Sequence, residues 1–313
     1  MIAVIIPCFK VRTHILDVLA AIGSEISCIY IVDDACPENS GKFVEENTDD
    51  PRIKVIYHEK NKGVGGAILS GYKQAITDGA EIIVKLDGDG QMNPGFIAKL
   101  ILPIENGEAD YTKGNRFFDI EKLLEMPRIR LIGNSCLSLI NKIVNGYWNV
   151  IDPTNGFTAI HIDALKLLPL PKIDNRYFFE SDMLFRLSVL RAVVKDVPIP
   201  PVYGNETSNL KIGKVLWEFP LKYVNRFFKR FFYNYLIRDF NAGTIQILSG
   251  TFAIITGLAF GIYHWIVSYE TMEATPTGTV MISTLLVILG FQLLLGALNF
   301  DVQNIPVNPI QKQ

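Results

Sequence analysis

Two stretches near the carboxyl end of this 313-residue chain, residues 241–269 and 277–300, contain no Asp, Glu, Lys or Arg. At about 1.5 Å of rise per residue, each can cross the roughly 30 Å hydrocarbon core of a bilayer as a helix. A pair of buried core helices is the competing interpretation, but uncharged stretches this long are uncommon in soluble cores. The composition, 49% apolar with positive mean hydropathy, leans the same way. Between the two stretches lie Glu270 and Glu273 but no basic residue, whereas Lys211, Lys214, Lys222, Arg226, Lys229, Arg230 and Arg238 precede the first. Positive charge marks the cytoplasmic flank, so both termini are expected inside. Met1 leads into a short apolar run with no basic flank, which does not read as a signal peptide. The expectation is an integral protein of the inner (plasma) membrane with its N-terminal domain in the cytosol.

That N-terminal part alternates short apolar runs with helical patterns. Residues 2–6, 28–32, 53–57 and 81–86 read as buried parallel strands, and residues 12–22, 39–47 and 64–77 as the helices between them. Such a sheet binds ligands at the carboxyl ends of its strands. Three of those ends are distinctive: Pro7-Cys8-Phe9-Lys10 after the first, Asp33-Asp34 after the second and Asp87-Gly88-Asp89-Gly90-Gln91 after the fourth.

Asp87 and Asp89, two residues apart in a glycine-rich loop, can turn oxygens toward one hard cation, Mg2+ or Mn2+, whose shell a diphosphate completes. Asp-x-Asp alone also describes an ordinary surface turn; its position directly after an apolar strand favours the metal. The stretch Asn61-Lys62-Gly63-Val64-Gly65-Gly66-Ala67 fails the dinucleotide spacing, because Ile68 stands where a third glycine is required, and it lacks the Gly-Lys-Ser/Thr of a phosphate loop. It is either a helix N-terminus beside a ligand or a tight turn in which glycine serves backbone geometry. Cys8, Cys28, Cys36 and Cys136 show no metal or redox spacing and read as reduced thiols.

These motifs together resemble the family 2 glycosyltransferases, and within them the polyprenyl-phosphate sugar transferases of the dolichol-phosphate mannose synthase type. The resemblance spans residues 1–211 and adds Lys113-Gly114-Asn115-Arg116-Phe117 to the motifs above. It implies an α/β catalytic domain of the GT-A (Rossmann-like, mostly parallel) fold. It also implies that Pro7, Asp33 and Asp34 contact the base and ribose of a nucleotide sugar, with Phe9 and the Asn61-Lys62-Gly63 turn completing the donor site. Asp87 and Asp89 would handle metal and diphosphate, and Gln91 would lie beside the reacting centre. Arg116 and Arg130, with Arg128 as competitor, would hold the phosphate of a lipid acceptor, a task suited to bidentate guanidinium. Asp152, in Asp152-Pro153-Thr154-Asn155-Gly156, would face the acceptor or finish the metal shell. Two elements depart from the family pattern: Phe9-Lys10-Val11 replaces Tyr-Asn-Glu, and the stretch ending at Lys211 lacks the usual Arg-x-x-Gly-x-Ser-Lys.

Acceptor choice turns on chemistry. A lipid phosphate is already ionised and attacks without a base, whereas a sugar hydroxyl must lose a proton. Glu180 and Asp182 supply a candidate base, so a lipid-linked saccharide remains the alternative acceptor to undecaprenyl phosphate. Residues 217–240 carry ten aromatic residues among Lys222, Arg226, Lys229, Arg230 and Arg238, a pattern expected of helices at lipid headgroups, with Pro220 dividing them. The adjoining spans argue against nucleic acid as the target of this basic face. The expected organisation is a catalytic domain at 1–210, juxtamembrane amphipathic helices at 211–240 and a two-helix transmembrane anchor with a short tail at 241–313. The expected activity is inverting transfer from a UDP- or GDP-sugar for cell-envelope glycan synthesis. A non-catalytic, membrane-tethered nucleotide-sugar binding protein is the alternative from another class. The sequence leaves open the sugar, the base and whether the chain works as a homo-oligomer.

Overall fold

The computed structural model describes residues 1–124, 128–200 and 212–313. The chain divides into two compact units: Met1–Phe227 together with Pro306–Gln313, and Phe228–Ile305.

In the first unit, strands β1 (Ile2–Cys8), β2 (Cys28–Asp33), β3 (Ile53–Tyr57) and β4 (Ile82–Lys85) run parallel. Helices α1 (Ile15–Ala20), α2 (Ser40–Asn47) and α3 (Val64–Thr77) connect them. Further along come α4 (Ile97–Glu105), β5 (Tyr111–Asn115), α5 (Ile120–Leu124), α6 (Arg128–Asn145), β6 (Thr158–His161), α7 (Ile162–Leu167), α8 (Phe179–Leu190) and β7 (Val194–Pro198). The seven strands form one sheet in the order β3-β2-β1-β4-β6-β5-β7, with β6 antiparallel to both neighbours. The expected mostly parallel α/β architecture is therefore present.

Alternation along β1 and β2 explains the two-sided core. Ala3, Ile5, Tyr30 and Val32 face one apolar cluster with α3 and α8, while Val4, Ile6, Ile29 and Ile31 face the other with α1 and α4. Strands covered on both sides need continuous apolar sequence, which β1, β2 and β4 have. β3 does not match the expectation of a buried strand. It is the sheet edge, half-exposed along its length, and its Lys54 projects outward to pair with Asp78 at 2.5 Å.

Helix α9 (Ile212–Phe231) runs through Pro220 without a break, against the expectation that Pro220 divides two helices. Proline removes one helical hydrogen bond, but packing on both sides of it holds the helix. The rings of Phe219 and Tyr223 sit 5.2 and 5.0 Å from that of Phe178. The Tyr223 hydroxyl meets Asn141 Nδ2 and Ser181 Oγ, each at 2.9 Å. Two basic residues of this helix are engaged within the unit: Lys222 pairs with Asp174 at 2.5 Å and Arg226 with Asp182 at 2.6 Å. The chain returns to this unit at its end, where the backbone amides of Ile310 and Gln311 donate to Asp110 and the Gln311 amide group donates to the carbonyls of Ile104 and Ala109.

The second unit holds α10 (Ala242–Thr271) and α11 (Thr277–Gln303), both long and apolar enough to cross a membrane. A reciprocal capping box between Asn241 and Thr244 starts α10. The two helices approach closely at glycine: a Cβ on Gly250 would lie 2.9 Å from the Gly290 carbonyl oxygen. Before them, a π-helical segment at Phe232–Ile237 brings Tyr235 to Asp301, which also pairs with Arg230.

Candidate active site

The carboxyl ends of β1 to β4 open into one cleft of about 980 Å³. β6 runs the other way, so it contributes through the loop before it, residues 154–156, which arrives at the same end of the sheet. The rest of the wall comes from the turn before α8, from α6 and from α9. The lining is uneven. Asp34, Asp87, Asp89 and Glu180 stand toward one part, whereas Leu137, Ile140, Phe219, Pro220, Tyr223 and Val224 make an apolar wall.

Lys85 organises the acidic part, and sequence reasoning missed it. It ends β4 fully buried, with Nζ 3.0 Å from Asp87 Oδ1, 3.2 Å from Glu180 Oε1 and 3.1 Å from the Gly156 carbonyl. Burial works against the ammonium, but the two carboxylates outweigh it and hold the group above its ordinary range. A buried charge needs such partners. The available signal was a lysine inside the apolar run Ile82-Ile83-Val84-Lys85-Leu86 immediately before two aspartates. A Cβ at Gly156 would crowd the Lys85 ammonium and stand 2.7 Å from Asp87 Oδ2, so a larger residue there would shift this pair.

Asp87 and Asp89 both line the cleft, with the Gln91 amide donating to Asp89 Oδ1 at 3.0 Å. Among the described residues no group of three or more His, Cys, Asp or Glu could hold a metal by itself. The donor set nonetheless fits Mg2+ or Mn2+ bound through one or two carboxylates plus substrate phosphate. Among the described residues the lining sets four carboxylates against two basic residues, Lys85 and Arg176, an excess that a cation would offset.

The donor-side residues separate. Pro7, Phe9, Asp34, Asn61 and Gly63 line the cleft. Asp33 does not: its carboxylate is turned to the loop behind, accepting the amides of Cys36 and Gly41 at 2.7 Å each. Asp34 accepts the amides of Lys62 and Gly63 at 2.8 Å each and lies 2.7 Å from His58 Nδ1. Lys62 thus takes part through its backbone, and the start of α3 already holds a carboxylate. Glycine there serves close packing, since Gly63 has φ +85° and a Cβ on Gly65 would lie 2.5 Å from the Asp174 carbonyl oxygen.

On the acceptor side the structure redistributes several roles. Asp152 is fully buried and grips Arg116 through two contacts of 2.7 and 3.1 Å, so neither faces the cleft. Arg116 and Gln91 instead line a small hollow next to it. Arg128 is exposed at the start of α6 and does not line the cleft, and the Arg130 side chain, like Lys211, lies outside the described residues. Asp182 corrects an expectation: fully buried, it is held by Arg186, Arg226 and the Asp174 amide, and cannot serve as a base in the cleft. Glu180 does line the cleft, paired to Lys85. Beneath the site, burial pushes Lys113 down to about 8 and Asp196 up to about 6. Lys113 Nζ donates to the Asn155 carbonyl.

Comparison with known proteins agrees with this architecture. The chain is 34% identical over 202 residues to a UDP-N-acetylglucosamine–dolichyl-phosphate N-acetylglucosaminyltransferase of Methanococcus voltae, covering 59% of this chain and 80% of that one. It is 30% identical over 175 residues to an undecaprenyl-phosphate mannosyltransferase of Micrococcus luteus, covering 55% and 71%. A solved structure of glucosyl-3-phosphoglycerate synthase from Mycobacterium tuberculosis, in complex with Mn2+, UDP-glucose and phosphoglyceric acid, superposes with a TM-score of 0.54. At 16% identity over 74% of this chain and 79% of that one, the likeness concerns the fold alone. Residues 3–168 match the family described as Glycosyl transferase family 2, and the chain belongs to that family.

Proposed function

We propose that this protein transfers a sugar from a nucleotide-sugar donor to a polyprenyl phosphate at the cytoplasmic face of a membrane, with inversion at the anomeric carbon. The observation that carries this is the single cleft in which a carboxylate-rich part and an apolar wall are continuous. A nucleoside diphosphate and its cation suit the first, and an isoprenoid chain suits the second. The names of the relatives, which specify dolichyl and undecaprenyl phosphate acceptors, support the same assignment.

Asp87 and Asp89 would hold Mg2+ or Mn2+, which supplies positive charge to the departing diphosphate. Pro7, Phe9, Asn61 and Gly63 enclose the donor. An oxygen of the acceptor phosphate attacks the anomeric carbon, and the bond to the diphosphate breaks with its electron pair leaving on the nucleoside diphosphate. Because that oxygen is already anionic, no base is required. Glu180, the carboxylate available as a base, is engaged by Lys85, which favours a phosphate over a sugar hydroxyl as acceptor.

Membrane topology is part of the proposal. The chain leaves the catalytic unit after Phe227, passes through two apolar helices and re-enters that unit at Pro306. Two crossings return it to the starting side, as the charge bias requires. A cell-envelope polysaccharide is the proposed destination of the sugar.

The test is incubation of the purified protein with radiolabelled UDP- and GDP-sugars, Mg2+ or Mn2+, and undecaprenyl phosphate, followed by organic extraction. Label is expected in the lipid phase. Label found only on an added lipid-linked saccharide would sink the phosphate acceptor, and nucleotide-sugar binding without any product would mark a binding protein.

A further inference from the structure

Among the described residues the cleft has two basic residues in its lining, and one of them, Lys85, is buried and occupied by Asp87 and Glu180. The other is Arg176, exposed in the turn before α8. The carboxylate nearest to it in sequence is taken: Asp174 Oδ1 accepts the Arg176 backbone amide at 3.0 Å and Oδ2 pairs with Lys222 at 2.5 Å. Among the described residues no carboxylate lies within ion-pair distance of the Arg176 guanidinium. The stem of the side chain lies beside the glycine turn, where a Cβ added to Gly63 would stand 3.0 Å from Arg176 Cγ. Arg116, by contrast, has its Nε–Nη2 edge committed to Asp152.

We propose that Arg176 is the residue that binds the phosphate of the lipid acceptor. This rests on the reading that the acceptor is a polyprenyl phosphate. The donor diphosphate offers the same chemistry, but Asp87 and Asp89 would address it through the cation that they would hold. A guanidinium with no carboxylate partner among the described residues suits a second anion, which it can hold bidentately without losing its charge. Tyr177 next to it and the wall formed by Phe219, Pro220 and Tyr223 would receive the first isoprene units.

Initial rates of the full-length chain in detergent test this, with undecaprenyl phosphate varied at saturating donor and donor varied at saturating lipid. Arg176→Ala is expected to raise the lipid KM about tenfold or more, the loss of a hydrogen bond to a charged group. Its donor KM should stay within about twofold of wild type, binding of UDP or GDP with Mn2+ should be unchanged by calorimetry, and Arg176→Lys should recover part of the lipid KM. A donor KM that rises as much as the lipid KM, or weaker nucleotide binding, moves Arg176 to the donor and overturns the assignment. An unchanged lipid KM overturns it as well. Failure of the underlying function would be visible earlier, as a wild-type chain that transfers no sugar to undecaprenyl phosphate, and would remove both.

Discussion

The turns after β2 and β4 both end a buried parallel strand with two aspartates, yet they are built for different work. At Asp33 and Asp34, four backbone amides and one imidazole meet the carboxylates, so these oxygens brace the loop and the start of α3. At Asp87 and Asp89, Lys85 and the Gln91 backbone amide are among the groups that meet them, and both side chains border the cleft. Residue type and strand-end position are shared; the groups that the side chains face differ. A carboxylate whose oxygens are filled by backbone amides braces the fold, and one that borders a cleft can meet a cation there.

The largest expected effect lies in the second turn. Asp89→Ala should cut turnover by about two orders of magnitude or more with little change in Tm, since cation charge at a departing diphosphate is worth several kcal/mol; chelation of divalent ions should do the same to wild type. Near-normal turnover in Asp89→Ala would erase the distinction between the turns. The first turn predicts the opposite pattern. Asp34→Ala leaves two amides and His58 without their partner and should cost about 3 kcal/mol or more of stability, read as a drop in Tm of the purified protein.

A third measurement uses pH. Burial holds Lys113 at about 8, below its ordinary 10.5. The unfolded chain then binds more protons between those values, so stability should rise with pH across that window, by about 3 kcal/mol in total. Melting curves from pH 7 to 10 should show the rise, and Lys113→Met should flatten it; equal slopes in both proteins would refute the buried ammonium. The smallest effect is expected of Asp33→Asn, which keeps one acceptor oxygen for the Cys36 and Gly41 amides. It should lose about 1 kcal/mol, visible as a modest shift in Tm with turnover retained.

Much of this was legible before folding. The apolar runs that became β1, β2 and β4 are continuous because both faces are covered, and α3 begins at the glycine turn and ends where its period ends. The edge position of β3 was not legible, because a short apolar run does not say which neighbours it will have. Pro220 misled for a related reason: a local helix breaker is overridden when Phe219 and Tyr223 are both anchored by Phe178. In the site, position at strand ends marked Asp34, Asp87 and Asp89, but it could not separate Asp33, one residue away, whose side chain points to the other side of the sheet.

By itself the sequence determined the parallel α/β domain, the two long apolar helices, the acidic strand ends and the family, because each is carried by local periodicity or by contiguous motifs. Only the tertiary structure decided which charges meet. Arg116 finds Asp152 across 36 residues, Lys222 finds Asp174 across 48, and Arg226 finds Asp182 across 44. Each pairing engages a residue that looked free for phosphate, headgroup or proton transfer, and among the described residues Arg176 is the basic residue of the cleft with no carboxylate partner. Ion-pair choice depends on distance in space and on the desolvation that burial imposes, and neither is written in spacing along a chain.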